Sequence, residues 1–286
     1  MPNIKAIIAD VDGVMVGKDE GVNFPLPHTE VINALRRIAE GGTPIVLCTA
    51  KFRAGLDDLV TKAHLVNPHI TDGGALIVNP LGQDKIVEQN SLDAKIVQDY
   101  LAHDTDADTI TELYSPTDYF VQKSSDQKVI GKHAKILQKE PIVVDDLAEV
   151  ARSEPIIKVI SFTKNDVAKA KVEKQVERLS GQVNAIWTHH PFITSPLCVI
   201  TAPGVSKEHA AVTVANRLGI PLAGVLGVGD SPSDWSFMKL CGYVGSVGEN
   251  QELRELVKSK DSGHYFMAPS VDDHGLLAIF EHFGLT

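Results

Sequence analysis

The chain has 286 residues, 43% of them hydrophobic and 22% charged, with a formal net charge of −10. This is the composition of a folded globular protein long enough for two unequal domains. The acidic balance argues against a general nucleic-acid or anionic-membrane binder, which needs a basic face, but a small anionic substrate stays open because one metal ion reverses the local field.

No basic segment followed by a secretory apolar core precedes the run Ile4–Ala9. No apolar run reaches the roughly 20 residues a membrane helix needs. Cys48, Cys198 and Cys241 lie far apart in apolar stretches and form no disulfide framework. A reducing, cytoplasmic setting is expected.

Residues 4–9 form a short run of Ile and Ala, which predicts a buried strand of a parallel sheet. It ends in Asp10-Val11-Asp12-Gly13-Val14. Ligands of open α/β sheets bind beyond the carboxyl ends of strands, so Asp10 and Asp12 stand at the mouth of a site. The plainer alternative is a polar strand end capping a turn. An amphipathic helix follows Pro27, with Val31, Ile32, Leu35, Ile38 and Ala39 on one stripe and Gly41-Gly42 at its end. Residues 44–49 predict a second buried strand ending in Thr49, residues 56–63 a helix, and residues 69–71 a third strand. Residues 75–78 and 86–88 read as a hairpin.

The rhythm changes near residue 90. Helices are expected at 91–101, 127–138, 145–152 and 165–179, and strands at 109–114, 119–123, 155–162 and 183–188. This is an α+β insertion. Alternation resumes near Leu197: an apolar segment at 197–201, a helix opened by Lys207, and a strand at 222–228. The turn Gly229-Asp230-Ser231-Pro232-Ser233-Asp234 then leads to a helix, strand, helix, strand and final helix. The expected architecture is a Rossmann-like doubly wound core (1–88 and 197–286) with an inserted cap (89–196).

Asp10/Asp12, Thr49, Lys207 and Asp230/Asp234 each follow a strand or open a helix. Hard carboxylate oxygens suit Mg²⁺, which keeps several waters and accepts phosphate oxygens. Asp10 is placed to attack phosphorus. Asp12 is placed to protonate the leaving alkoxide and later deprotonate water, and Thr49 and Lys207 to bind the equatorial oxygens.

In order and residue type, these four clusters resemble the motifs of the haloacid dehalogenase superfamily. The inserted α+β segment is similar to the C2-type cap of its subfamily IIB, the Cof-like group. The resemblance implies an Mg²⁺-dependent phosphomonoesterase of a small organic phosphate, with a sugar phosphate as the expected class. It implies Asp10 as nucleophile and metal ligand, Asp12 as acid/base with its carbonyl on the metal, and Asp230 as the remaining ligand. Asp234 would support the metal-bound water or orient Lys207. The dehalogenase branch lacks the second carboxylate, so Asp12 favours phosphoryl transfer.

The chain departs from the pattern at Val14, where Thr is commoner, at Ser233, where Asn is usual, and at Gly73-Gly74-Ala75, where Asn-Gly-Ala is frequent. Lys51 stands where many relatives have Arg, either as a phosphate contact or as a surface lysine. Gly74 and Ser231 are further substrate-side candidates. His189 and His190, near the return from cap to core, are read as substrate contacts or as a strand end. Two other functions stay open: a phosphomannomutase-like phosphotransferase, which would need cap cations beyond Arg152 and Arg178, and a catalytically silent metabolite-binding relative. Nothing in the sequence indicates oligomeric state.

Overall fold

The computed structural model describes residues 2–83, 85–103, 107–190 and 193–285, with the side chains of 189, 190, 193 and 194 outside that description. The chain divides into two compact units: residues 1–51, 56–87 and 206–286 form the first, and residues 52–55 and 88–205 the second.

The first unit is built on a parallel sheet. Its strands run in the spatial order Tyr265–Met267, Tyr243–Ser246, Val225–Gly229, Ala6–Ala9, Ile45–Leu47. The central strands are apolar on both faces because both are covered, as a parallel sheet requires. One face packs Ile7, Ala9 and Leu47 with helix Thr29–Glu40, which buries Val31, Ala34, Leu35 and Ile38 at helical spacing. The other packs Ile8 and Val46 with Ala210, Ala211 and Val214 of helix Lys207–Arg217.

The expected third strand, His69–Thr71, touches the parallel sheet through a single bridge, Cys48 to Ile70. It turns back through Asp72–Gly74 to pair antiparallel with Leu76–Val78, which neighbours Ile86–Gln89. The hairpin residues are thus as expected, but they form a separate small sheet with the third strand.

The second unit contains a six-stranded sheet in the order Asn184–His190, Ile193–Thr201, Lys158–Thr163, Thr109–Tyr114, Tyr119–Gln122, Ile142–Val144. It is antiparallel except for its last pair. Helices Ala94–His103, Gln127–Leu137, Leu147–Ser153 and Asp166–Arg178 accompany it. Phe52, directly after Lys51, belongs to this unit and packs edge-on to Tyr114 and Tyr119, with centroids at 5.5 and 6.2 Å.

One expectation is corrected here. Residues 197–201, read as the return to the core, lie in strand Ile193–Thr201. That strand pairs with Lys158–Thr163 (Leu197 to Phe162, Thr201 to Lys158) and with Asn184–His190. The core resumes at Ser206. An apolar run of this length satisfies either sheet, and only the pairing partner decides which. Among the described residues, no helix is long and apolar enough to cross a membrane.

Candidate active site

Asp10 stands one residue past the Ala6–Ala9 strand, and its N–H continues the ladder to the Val228 carbonyl at 2.9 Å. The register sets Ala9 beside Val228 on one side and Leu47 on the other. Three adjacent strands therefore end at one level. Asp10, Thr49 and Asp230 emerge just beyond them, at the carboxyl edge of the sheet.

Lys207 arrives from a helix. Ser206 caps that helix, its hydroxyl accepting from the His209 N–H at 3.1 Å. The Lys207 ammonium donates to Asp10 Oδ1 at 2.9 Å and to Asp234 Oδ1 at 2.7 Å. The other oxygen of Asp234 accepts from the N–H groups of Asp230 and Ser231, both at 3.2 Å, and from the Ser231 hydroxyl at 3.0 Å. Asp234 is thus fully enclosed (0% exposed) and fastens the Asp230 turn to Lys207. Ser233, in the place of the usual Asn, shares a 2.8 Å hydroxyl contact with Ser231.

Asp10, Asp230 and Asp234 each bring one carboxylate oxygen into a group spanning no more than 4.8 Å. Burial pushes the Asp10 carboxyl well above the ordinary aspartate range; Lys207 opposes this, and Asp234, Asp230 and Asp12 add to it by repulsion. Burial followed by repulsion from Asp234 raises Asp230 to about 7. Burial alone would lower Lys207, but Asp10 and Asp234 outweigh it and hold the ammonium firmly protonated. Once ionised, the three carboxylates against one ammonium carry two negative charges, which matches the charge of one divalent cation. Hard oxygen donors and this deficit fit Mg²⁺.

Gly13 lets the Asp230 carboxylate lie close. Its φ is +82°, and a Cβ there would stand 2.3 Å from Asp230 Oδ2. Thr49 is buried; its hydroxyl accepts from the Lys51 N–H at 3.0 Å, and its N–H donates to the Ile70 carbonyl.

Asp12 stands apart from the acidic group. Its carboxylate is 53% exposed and accepts at Oδ1 from the Lys51 ammonium at 2.8 Å, while the Lys51 side chain is only 5% exposed. Lys51 is therefore no surface lysine. Gly74 contributes shape: with φ +102°, it lies so close to the Ser206 carbonyl that a Cβ would sit 2.3 Å from that oxygen. Ser231 serves the Asp234 turn. The side chains of His189 and His190 lie outside the described residues.

Sequence reasoning missed Asp72. It is buried, adopts a left-handed backbone (φ 53°), donates its N–H to the Lys51 carbonyl at 3.0 Å and accepts from the Thr71 hydroxyl at 2.9 Å. The Asp-Gly-Gly run that marks this turn was the available signal.

This fold, with four polar clusters at one edge of its sheet, places the protein in a known class. The chain belongs to the haloacid dehalogenase-like hydrolases, whose family profile matches residues 7–260. A Streptococcus pyogenes serotype M6 protein, provisionally named a phosphatase, is 23% identical over 275 residues, covering 91% of this chain and 96% of that one. Among solved structures, a haloacid dehalogenase subclass IIB sugar phosphatase is similar with a TM-score of 0.76 at 18% identity, over 99% of this chain and 100% of the other. A haloacid dehalogenase-like hydrolase from Bacteroides thetaiotaomicron is similar with a TM-score of 0.81 at 19% identity, over 97% and 98%. At these identities the likeness is one of fold: a Rossmann-like core with an α+β cap of the subclass IIB kind.

Proposed function

We propose that this hydrolase is an Mg²⁺-dependent phosphomonoesterase of small organic phosphates, with sugar phosphates the leading class, working through an aspartyl-phosphate on Asp10. The observation that carries the reading is the buried Asp10–Lys207–Asp234 arrangement beside Asp230. An ammonium held protonated against the nucleophile can neutralise a bound phosphoryl group. The subclass IIB sugar phosphatase of like fold supports the substrate class.

Asp10, Asp230 and the backbone carbonyl of Asp12 would hold the Mg²⁺, with Asp234 completing the acidic set while it orients Lys207. When bound, the ion would favour the ionised Asp10 and Asp230 carboxylates against the burial and mutual repulsion that raise them, and would hold a phosphate dianion among them.

Asp10 attacks phosphorus, and the phosphorus–oxygen bond to the organic group breaks. The leaving alkoxide takes the proton carried by Asp12. Water then attacks the phosphoryl group and returns a proton to Asp12; the bond to Asp10 breaks, and phosphate leaves. Lys207 and Thr49 bind the equatorial oxygens through these steps. The protein works on a phosphorylated metabolite in the cytoplasm, where its three thiols stay reduced.

Hydrolysis is favoured over intramolecular transfer. Of the two arginines the sequence offered for a second phosphate, Arg178 is already tied to Asp99 at 2.9 Å. The silent-relative reading is disfavoured because each chemical role has a residue in place.

The test is phosphate release from p-nitrophenyl phosphate and a panel of sugar phosphates with Mg²⁺. The wild type is expected to be active, and Asp10→Asn to lose at least about 10³-fold. An inactive wild type, or an Asp10→Asn variant of equal activity, refutes the proposal.

A further inference from the structure

We propose that Lys51 is a positioning residue for Asp12 and acts on leaving-group protonation rather than on the phosphate. This rests on the phosphatase reading above.

A phosphate-binding lysine would be expected among the carboxylates that gather the phosphoryl group, as Lys207 is. Lys51 instead ends on Asp12 Oδ1 at 2.8 Å, outside the Asp10–Asp230–Asp234 group. Its backbone is held at both ends: the N–H donates to the Thr49 hydroxyl at 3.0 Å, and the carbonyl accepts from the Asp72 N–H at 3.0 Å. Its stem is covered, with 5% of the side chain exposed. A long side chain that is already ordered loses little further entropy on making one directed contact.

Asp12 is the opposite case. Its carboxylate is 53% exposed, and Lys51 supplies the ion pair that fixes it. An ion pair with so exposed a partner adds little to stability. What it can add is one rotamer of a side chain that must meet the leaving oxygen within hydrogen-bond reach. Asp72, unexplained by the core motifs, then has a place: its N–H donates to the Lys51 carbonyl and holds that backbone.

The test separates the two steps Lys51 could serve. An aryl phosphate with a good leaving group departs without a proton, whereas an alkyl phosphate needs one. The ratio of kcat/KM on an alkyl ester to that on p-nitrophenyl phosphate therefore reports proton delivery in the first step alone. Lys51→Met, which keeps most of the stem, is expected to lower this ratio by about tenfold or more. Lys51→Arg should restore most of it. In the Asp12→Asn background, Lys51→Met should lower the ratio no further, because the two act as one unit.

Equal loss on both esters, with a raised KM, would make Lys51 a phosphate ligand and overturn the proposal. So would a Lys51→Met variant with raised alkyl-ester activity, which would mean that the pair restrains Asp12. A wild type that turns over only aryl esters also overturns it, since no proton-dependent step is then present to support. A wild type inactive on every ester defeats the phosphatase reading itself, and is told apart by that inactivity.

Discussion

Gly74 gives a stability prediction whose size follows from the structure. In Gly74→Ala the new Cβ would stand 2.3 Å from the Ser206 carbonyl oxygen and 2.7 Å from its carbon. Neither is the movable end of a side chain; both belong to the residue that caps the Lys207 helix. The backbone at Gly74 has φ +102°, outside the regions an alanine adopts readily, which costs about 1–2 kcal/mol. Forcing the backbone apart adds about 1–3 kcal/mol, the range found for overpacked sites. The sum is roughly 2–5 kcal/mol. Gly73→Ala is the control: its φ is +69°, but nothing lies within 4 Å of the added Cβ, so only the conformational part remains. Urea unfolding of the three proteins, with the midpoint read at constant slope, measures the difference. Gly74→Ala should fall well below Gly73→Ala, and Gly73→Ala modestly below wild type. If the two variants unfold at the same midpoint, the close approach of Gly74 to Ser206 is not what requires glycine there.

Two further outcomes can be measured without a substrate. His69 is fully buried: its Nδ1 accepts from the Leu47 N–H at 3.2 Å, its Nε2 faces the Leu65 carbonyl at 3.3 Å, and burial lowers its pKa from 6.5 to about 4. Between those values the unfolded chain binds a proton that the folded one refuses. Stability is thus whole above pH 6.5 and declines as pH falls toward 4, by about 3 kcal/mol from this ring. The stability difference between wild type and His69→Gln should change by this amount between pH 7 and 4, since the raised Asp10 and Asp230 carboxyls, which act in the opposite direction, are common to both proteins; a difference that stays constant with pH would assign the acid loss to other groups. All three cysteines are buried, and burial pushes the Cys198 and Cys241 thiols up to about 12 and Cys48 higher still. Iodoacetamide at pH 8 should leave the folded protein unmodified and label three sites in urea, counted by mass spectrometry. Rapid labelling of the folded chain would contradict this burial.

Much of the molecule was legible in its residue order, for reasons that are local. The Ile-Ala run ending at Asp10, the helical stripe of Val31, Leu35 and Ile38, and the turn at Asp230–Asp234 carry their structure in period and punctuation. Buried strands of a parallel sheet are short and apolar throughout, and their polar ends mark where ligands sit. That is why Asp10, Thr49 and Asp230 could be placed at one edge before any register was known.

What only the tertiary structure decided depends on partners far apart in the chain. Strand Ile193–Thr201 joins the cap sheet because Lys158–Thr163 is there to receive it; its own composition allows the core equally well. Lys51 could have served phosphate or solvent, and the covered stem with Asp12 at its end gives it a different partner. Asp234 divides its oxygens between Lys207 and the Asp230 turn, a division no spacing encodes. Charge type and strand ends are properties of a segment and can be read from it. Which charge meets which is set by long-range register and burial, and these exist only once the chain has folded.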